Sequence, residues 1–432
     1  MPTTVEGDDH SSGEQPPVLI AGAGIAGLSL ALSLHQIGVA CRLFEAVHDL
    51  KPLGVGINLQ PHAVRELTEL GLLDQLDSIG VRTAEVAYYS SHGQKIWAEP
   101  RGTAAGYRWP QFSVHRGHLQ MLLRDALVER MGAEVITTGA AIETWRETAT
   151  GIEVDLADRR TDRRLGHIRG SVLIACDGIH STIRQKLYPD EGPPSWGGTV
   201  MWRGVTVAKP FLTGRTMAMA GVKARKFVCY PIRDEGEDRA RINWIADLSF
   251  PPDYLWNRED WNRPGQLTDF LARFEDWQFD WLDVPALIRG AENIFEYPMV
   301  DRDPLPRWTF GPVTLMGDAA HAMYPIGSNG ASQAILDARV LAREFSSRGV
   351  GPEALEAYEA ERRPVTEAIV RANRGDGPDK ILDIVDARAP DGFSNILEVM
   401  SAQELEVAAS AYKSLAGMDV ETLNARPSIV SP

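Results

Sequence analysis

Apolar residues in this chain come in short runs that stop at glycines. Val18-Leu19-Ile20-Ala21 is the first, a β-rich run without charge, as in a strand buried on both faces. Leu28 to Ile37 is apolar almost all round, which predicts a buried helix. Gly38 stops it, and Val39 to Phe44 reads as a second strand. Gly170 to Cys176 and Val313 to Met316 read as two further buried strands, each running into a glycine turn. A helix is expected from Ala331 to about Glu344. The charge-free run from Val18 to Leu34 has nearly the length of a membrane span, but Gly22, Gly24 and Gly27 interrupt it. Strand, turn and buried helix account for it better.

Elsewhere the period is two. Residues 84 to 100 alternate Val86, Tyr88, Ile96 and Trp97 with polar positions around a Ser-His-Gly turn, which predicts a hairpin. Thr199–Val207, Lys226–Ile232 and Arg241–Leu248 are strand-like. Residues 191 to 292 hold seven of the eleven tryptophans, at 196, 202, 244, 256, 261, 277 and 281. After Gly351-Pro352 the pattern turns helical, with a charged amphipathic helix at Leu355–Arg363 and another at Ala402–Leu415. Pro378 and the Ala389-Pro390-Asp391-Gly392 turn interrupt this region, and the end from Arg426 reads as irregular.

The first glycine turn carries chemistry. Gly22-Ala23-Gly24-Ile25-Ala26-Gly27 follows a strand and opens a helix, and Glu45 closes the next strand 18 residues after Gly27. In such a fingerprint the first glycine allows the turn, the second lets a pyrophosphate approach the backbone, and the third lets helix pack on strand. The acid accepts hydrogen bonds from ribose hydroxyls. Two later turns extend the pattern. Asp177-Gly178 lies at a strand's carboxyl end, where it serves a ligand or caps the following helix. Gly317-Asp318 leads through Pro325, Gly327, Asn329 and Gly330 into the helix from Ala331. An aspartate at 318 suits a sugar or ribityl hydroxyl, and the helix N-terminus suits a flavin that gains negative charge on reduction. His321 reads as a packing or hydrogen-bonding residue rather than a catalyst. Three such turns point to one long dinucleotide held at several places, FAD rather than NAD.

These patterns predict an α/β protein. A Rossmann-like FAD-binding domain comprises residues 18–83, 108–190 and 293–350. An inserted β-sheet substrate domain comprises 84–107 and 191–292, and a C-terminal helical region 351–432. Residues 1–17, polar and acidic, read as a disordered leader.

Composition narrows the partners. Of 432 residues, 44% are hydrophobic and 24% charged, and the net charge is −15. That balance argues against nucleic acid or an anionic membrane as main partner. It leaves an anionic cofactor open, because backbone dipoles bind phosphate without basic side chains. Cys41, Cys176 and Cys229 are scattered and form no CxxC or Cys/His cluster. Neither a disulfide framework nor a metal site is indicated, and a reducing cytoplasm fits.

GAGIAG with Glu45, CDGIHSTIR, and GDAAHAMYPIGSNGASQAILDA together resemble the single-component FAD-dependent aromatic hydroxylases, the para-hydroxybenzoate and salicylate hydroxylase family. LGVGINLQPHAVREL, SVHRGHLQMLL, MWRGV and YPMVDRDPLPRW extend the likeness toward the phenazine-pathway branch, over roughly residues 18 to 375. The resemblance implies a monooxygenase that uses NADH or NADPH and O2 to hydroxylate an aromatic or heteroaromatic small molecule through a flavin C4a-hydroperoxide, with or without decarboxylation. It implies that Gly22, Gly24, Ile25, Ala26 and Gly27 hold the pyrophosphate and Glu45 the adenosine ribose. Arg116 would contact the FAD backbone and Gly317-Asp318 the ribityl chain. Asp177-Gly178 would touch FAD or NAD(P)H pyrophosphate, and Pro325 to Gly330 would line the flavin ring.

For the substrate, Met201-Trp202-Arg203 sets Met201 and Arg203 on one strand face and Trp202 on the other. Either face could line the pocket, and Tyr230 and Trp244 on neighbouring runs are further candidates. Arg203 suits a carboxylate, or else a structural pair. No catalytic base is identified and the oligomeric state is open. A flavin oxidase or dehydrogenase without oxygen insertion, an NAD-only dehydrogenase and a flavin-binding redox sensor stay open as alternatives.

Overall fold

The computed structural model describes residues 15–251, 253–255, 263–375, 377, 379–415, 417 and 419–430. Residues 1–14 of the expected leader, Trp256, Trp261 and Pro378 lie outside the described residues. Among the described residues, the strands form two large sheets and three small ones.

The six-stranded sheet runs in the order Thr309–Phe310, Val313–Leu315, Leu173–Ala175, Val18–Ala21, Cys41–Glu45, Ile136–Thr138. All pairings are parallel except that of the Thr309–Phe310 edge. Its central strands are apolar because both faces are covered: helix Ile25–Gln36 and the strands Ala141–Thr148, Gly151–Asp158 and Arg163–Gly170 share its core. Register aligns Ile20 with both Leu43 and Ile174, and Ile174 with Thr314, so four strands end nearly level. Helix Ile25–Gln36 is buried from Ala26 to Leu34 and packs against helices Arg116–Met131 and Gly330–Arg348. That explains its lack of a polar face.

The seven-stranded sheet runs in the order Ile294–Asp301, Ser195–Ala208, Arg239–Ser249, Arg225–Gly236, Thr216–Val222, Glu85–Tyr89, Lys95–Pro100. One face carries Trp202, Phe227 and Trp244 and is covered by Phe270, Phe274 and Trp277. The other carries Met201, Met217, Met219, Val228, Tyr230 and Ile245, with Ile381, Leu382 and Val385 of helix Lys380–Arg388 packed against it. The strand Ile294–Asp301 corrects the sequence pattern, which gave that stretch to the nucleotide-binding domain. Its pairing with Ser195–Ala208 makes it an edge of this sheet. Strands Ala141–Thr148, Gly151–Asp158 and Arg163–Gly170 form a separate antiparallel sheet.

The C-terminal region is helical at Pro352–Arg374, Lys380–Arg388, Ala402–Leu415 and Val420–Ala425. The end is irregular but not free: Ile429 and Val430 are buried in the core around the parallel sheet. No helix among the described residues is long and apolar enough to cross a membrane.

Candidate active site

The glycine turns meet at one edge. Gly22 follows Val18–Ala21, Gly178 lies just past Leu173–Ala175, Gly317 follows Val313–Leu315, and Glu45 ends Cys41–Glu45. These are the carboxyl ends of adjacent parallel strands, the edge where open α/β sheets bind ligands.

The first three glycines differ in what constrains them. Gly22 has φ +100°, and a Cβ there would stand 2.5 Å from the Cys176 carbonyl oxygen. At Gly27 a Cβ would stand 2.0 Å from the Gly22 oxygen, so helix and strand could not pack as they do. At Gly24 a Cβ would meet no protein atom within 4 Å. The space beside Gly24 is therefore left for a ligand, facing the uncapped N-terminus of helix Ile25–Gln36. Glu45 is fixed nearby: its carboxylate accepts from the Ala23 amide at 2.8 Å and the Val47 amide at 3.0 Å.

Gly178 lines the same cavity, and a Cβ there would likewise meet nothing within 4 Å, whereas Asp177 is not part of the cavity wall. Asp177 accepts from the Thr182 amide at 2.9 Å and so holds the start of helix Thr182–Leu187. Burial, the largest influence, lifts its carboxyl above the usual range despite the Ser181 hydroxyl. Of the two roles open in the sequence, helix capping falls to Asp177 and cavity contact to Gly178. Buried Arg184 donates at 3.0 Å to the carbonyls of Ala319 and Ala320, which ties this turn to the Gly317-Asp318 turn. His321 pairs with buried Asp337, which also holds Arg362. That is a hydrogen-bonding role inside the core.

Two charged groups at the cavity remain unengaged. Arg116 begins helix Arg116–Met131, and Asp318 begins the short helix Asp318–His321. Both are exposed and line the cavity, and neither side chain has an ion-pair partner among the described residues. Pro325, Gly327, Asn329 and Gly330 form the turn into helix Gly330–Arg348, with Gly327 at φ +73°. Gln60 binds this turn through the Gly327 carbonyl at 3.3 Å.

The cavity, about 300 Å³, continues from these turns onto one face of the seven-stranded sheet. Met201 stands opposite Asp247, and Asp247 opposite Lys226, on three adjacent strands. In the next row Arg203, Ile245, Val228 and Met219 follow one another. Arg203 Nη2 and the Tyr230 hydroxyl each donate to the Gly56 carbonyl at 2.8 Å, and the Gly56 amide donates to Asn243 Oδ1 at 2.7 Å. The sheet thereby grips the strand Gly56–Leu59 that borders the cradle. Burial pushes the Tyr230 hydroxyl up to about 12, so it keeps its proton as a donor. The Arg203 Nε is buried without a partner among the described residues.

Met201, Arg203 and Tyr230 thus line the cavity. Trp202 and Trp244 do not, which corrects two of the pocket candidates. Period two puts Trp202 on the far face, stacked on Phe270 with centroids 4.9 Å apart. Trp244 lies opposite Gly204 on that same face and donates to Thr206 Oγ1 at 3.0 Å. The sequence pattern missed Met217, Met219, Lys226, Asp247 and Asp379, all on the cavity wall. One signal was present: Lys226 opens the apolar run to Ile232, and Asp247 stands between the apolar Ile245-Ala246 and Leu248.

The residues fit FAD. The open space beside Gly24 and Gly178 would admit a pyrophosphate, Arg116 and Asp318 would offer a cation and an acceptor along its path, and the cavity beyond would admit a flat ring.

Comparison with known proteins agrees in family. An FAD binding domain model matches residues 15–248 and 298–373. The phenazine 1,6-dicarboxylic acid hydroxylase PhzS of Lysobacter antibioticus is 45% identical over 364 residues, 83% of this chain and 89% of that protein. The aurachin C monooxygenase/isomerase of Stigmatella aurantiaca is 32% identical, covering 80% of this chain and 84% of that protein. In fold, a salicylate hydroxylase substrate complex is similar at TM-score 0.72 and 23% identity, over 96% of this chain and 98% of that one.

Proposed function

This chain belongs to the FAD-dependent aromatic hydroxylases, and from that premise we propose that its substrate is a flat, fused-ring heteroaromatic carboxylic acid. The observation that carries the proposal is the unbroken cavity from the glycine cradle to a sheet face walled by Met201, Met217, Met219 and Met299. Methionine side chains are polarizable and adaptable, and they suit the faces and edges of aromatic rings. The 45% identical relative is named for a phenazine dicarboxylic acid, a substrate of this shape.

When bound, FAD supplies reduction by NAD(P)H and activation of O2 for transfer of one oxygen atom. The protein's share is binding, orientation and exclusion of water. The amides at Gly24 and the start of helix Ile25–Gln36 hold the pyrophosphate, with Arg116 as counter-charge. Glu45 accepts from the adenosine ribose, and Asp318 from the ribityl chain. The N-terminus of helix Gly330–Arg348 favours negative charge at the ring. Arg203 commits one nitrogen to the Gly56 carbonyl, so a substrate carboxylate meets only its remaining edge. The methionine wall keeps water from the reacting ring. Three buried free thiols suit a reducing cytoplasm.

The test is a panel of one-, two- and three-ring aromatic acids, scored for stimulated oxidation of NADH and NADPH by the FAD-loaded protein under isotopically labelled O2. Fused-ring acids should stimulate most and yield a product carrying one labelled oxygen atom; its mass also reports any loss of CO2. Stimulation by single-ring acids alone would overturn the substrate class. Peroxide release with no labelled product from any acid would point to an oxidase. Arg203→Lys should raise KM for the acid more than for a neutral analogue of the same ring, because lysine lacks the planar fork.

A further inference from the structure

The sheet wall of the cavity carries a charged group among apolar side chains. Lys226 and Asp247 face each other across adjacent strands and are 7% and 4% exposed. The Lys226 ammonium is ion-paired with Asp379, and lies 3.5 Å from Asp247 Oδ2. Asp379 comes from the turn before helix Lys380–Arg388. All three residues line the cavity. Lys226 is four residues from Tyr230, about 13 Å along the strand at ~3.3 Å per residue, and Asp247 is the diagonal cross-strand neighbour of Arg203.

One atom in this group is unsatisfied. Asp247 Oδ1 is buried and has no hydrogen-bond partner among the described residues. Its cavity neighbours Met201 and Ile245 offer no donor, and the Lys226 ammonium is directed to Oδ2 and to Asp379. An orphaned carboxylate oxygen in an apolar wall is costly unless a ligand supplies a donor. Within the group two carboxylates share one ammonium, and the further cations that reach them are Arg203 at Asp247 and Lys223 at Asp379.

Resting on the substrate class proposed above, we propose that Lys226, Asp247 and Asp379 form a specificity-determining cap, in which Asp247 Oδ1 accepts a hydrogen bond from a hydroxyl, amino or ring N–H group at the substrate's remote end. The cap disfavours a carboxylate there. Burial raises the Asp247 carboxyl above its usual range and Lys226 draws it back; a ligand donor at Oδ1 favours the ionised form in the same sense as Lys226. This sets the chain's substrate apart from a symmetric dicarboxylic acid.

The experiment is equilibrium titration of FAD-loaded enzyme, followed by the change in flavin absorption, with phenazine-1-carboxylic acid, its 6-hydroxy derivative and phenazine-1,6-dicarboxylic acid. The 6-hydroxy acid should bind wild type about ten-fold more tightly than the diacid. In Asp247→Asn, which keeps the shape and removes the charge, that ratio should fall to within about two-fold. Asp247→Leu should remove the advantage of the 6-hydroxy acid over the unsubstituted acid. If Asp247→Leu fails to retain FAD, the asparagine variant decides alone. Equal or tighter binding of the diacid by wild type overturns the cap. So does an Asp247→Asn variant that loses thermal stability but keeps the wild-type ratio, for then the group only ties the C-terminal helix to the sheet. Failure of all three phenazines to perturb the flavin, alongside stimulated turnover with smaller acids, overturns the fused-ring class instead, and the cap with it.

Discussion

At one end of the cavity the wall is largely backbone: Gly24, Gly178, Gly327 and Gly330 border it, and helix N-termini point at it. At the other end the wall is side chains: Met201, Met217, Lys226, Ile245 and Asp247 project from four strands, and Asp379 reaches in from the turn before a helix. On the function proposed above, the first end would need no net positive charge, because amide dipoles would bind the pyrophosphate even in a chain of net charge −15. It also tolerates little change, since each turn must bring backbone to phosphate. The second end can exchange side chains without disturbing a turn. On that proposal, one end would fix the cofactor and the other would be free to choose a substrate.

The largest effect that tests this division lies within the fingerprint. Gly27→Ala drives a methyl against the Gly22 carbonyl oxygen, where an ideal Cβ lies at 2.0 Å, with Ile20 Cγ2 behind at 3.2 Å. It should cost about 3 kcal/mol or more, read as a lower unfolding midpoint of the apoprotein. Gly24→Ala has open space and should leave apoprotein stability within about 1 kcal/mol, while weakening FAD retention. Gly24→Asp should abolish FAD binding, since bulk and negative charge meet the pyrophosphate. A folded Gly24→Asp protein that keeps stoichiometric FAD would remove this turn from the site.

Next is Asp318→Ala. The side chain is exposed at the cavity and holds no protein partner among the described residues, so its loss should leave apoprotein stability within about 0.5 kcal/mol. FAD affinity should fall by about 1–3 kcal/mol, the worth of one hydrogen bond to a charged acceptor. Fluorescence titration of apoprotein with FAD reads this directly. Unchanged affinity with a lower unfolding midpoint would make Asp318 structural.

The same division explains what was legible in the sequence. A phosphate cradle is a local constraint, so it wrote glycines at fixed spacing: Gly22, Gly24 and Gly27, then Glu45, then Gly317-Asp318. The strands beneath them could be read from unbroken apolar runs. The substrate wall is assembled from positions 201 to 379, and no spacing within one segment records that Met201, Asp247 and Lys226 form one row. Alternation gave two faces for each strand but not which one the cavity took, so Trp202 and Trp244 were equal candidates with Met201 and Arg203. Tertiary cover decided: Phe270, Phe274 and Trp277 close over the tryptophans and leave the methionines facing the cradle. Ile294–Asp301 was misplaced for a related reason. Its partner strand lies about a hundred residues upstream, and local pattern carries no register.

The smallest expected effect is also the cleanest test of the two faces. Trp244 and Tyr230 lie on adjacent strands of one sheet and point to opposite sides. Trp244 is fully buried, stacked near Phe227 at 6.2 Å between centroids, and its indole N–H donates to Thr206 at 3.0 Å. Trp244→Phe removes that bond and part of the ring, and should cost about 1–2 kcal/mol of stability. It should leave kcat/KM within about two-fold, because no atom it removes borders the cavity. Tyr230→Phe removes one of two donors to the Gly56 carbonyl and leaves Arg203 in place. It should cost about 1 kcal/mol or less, yet shift the flavin spectrum or the KM for substrate, since it loosens the strand that borders the cradle. Thermal unfolding and steady-state kinetics on the two variants separate these outcomes. If Trp244→Phe moved KM as far as Tyr230→Phe, the sheet would not divide into a packing face and a working face.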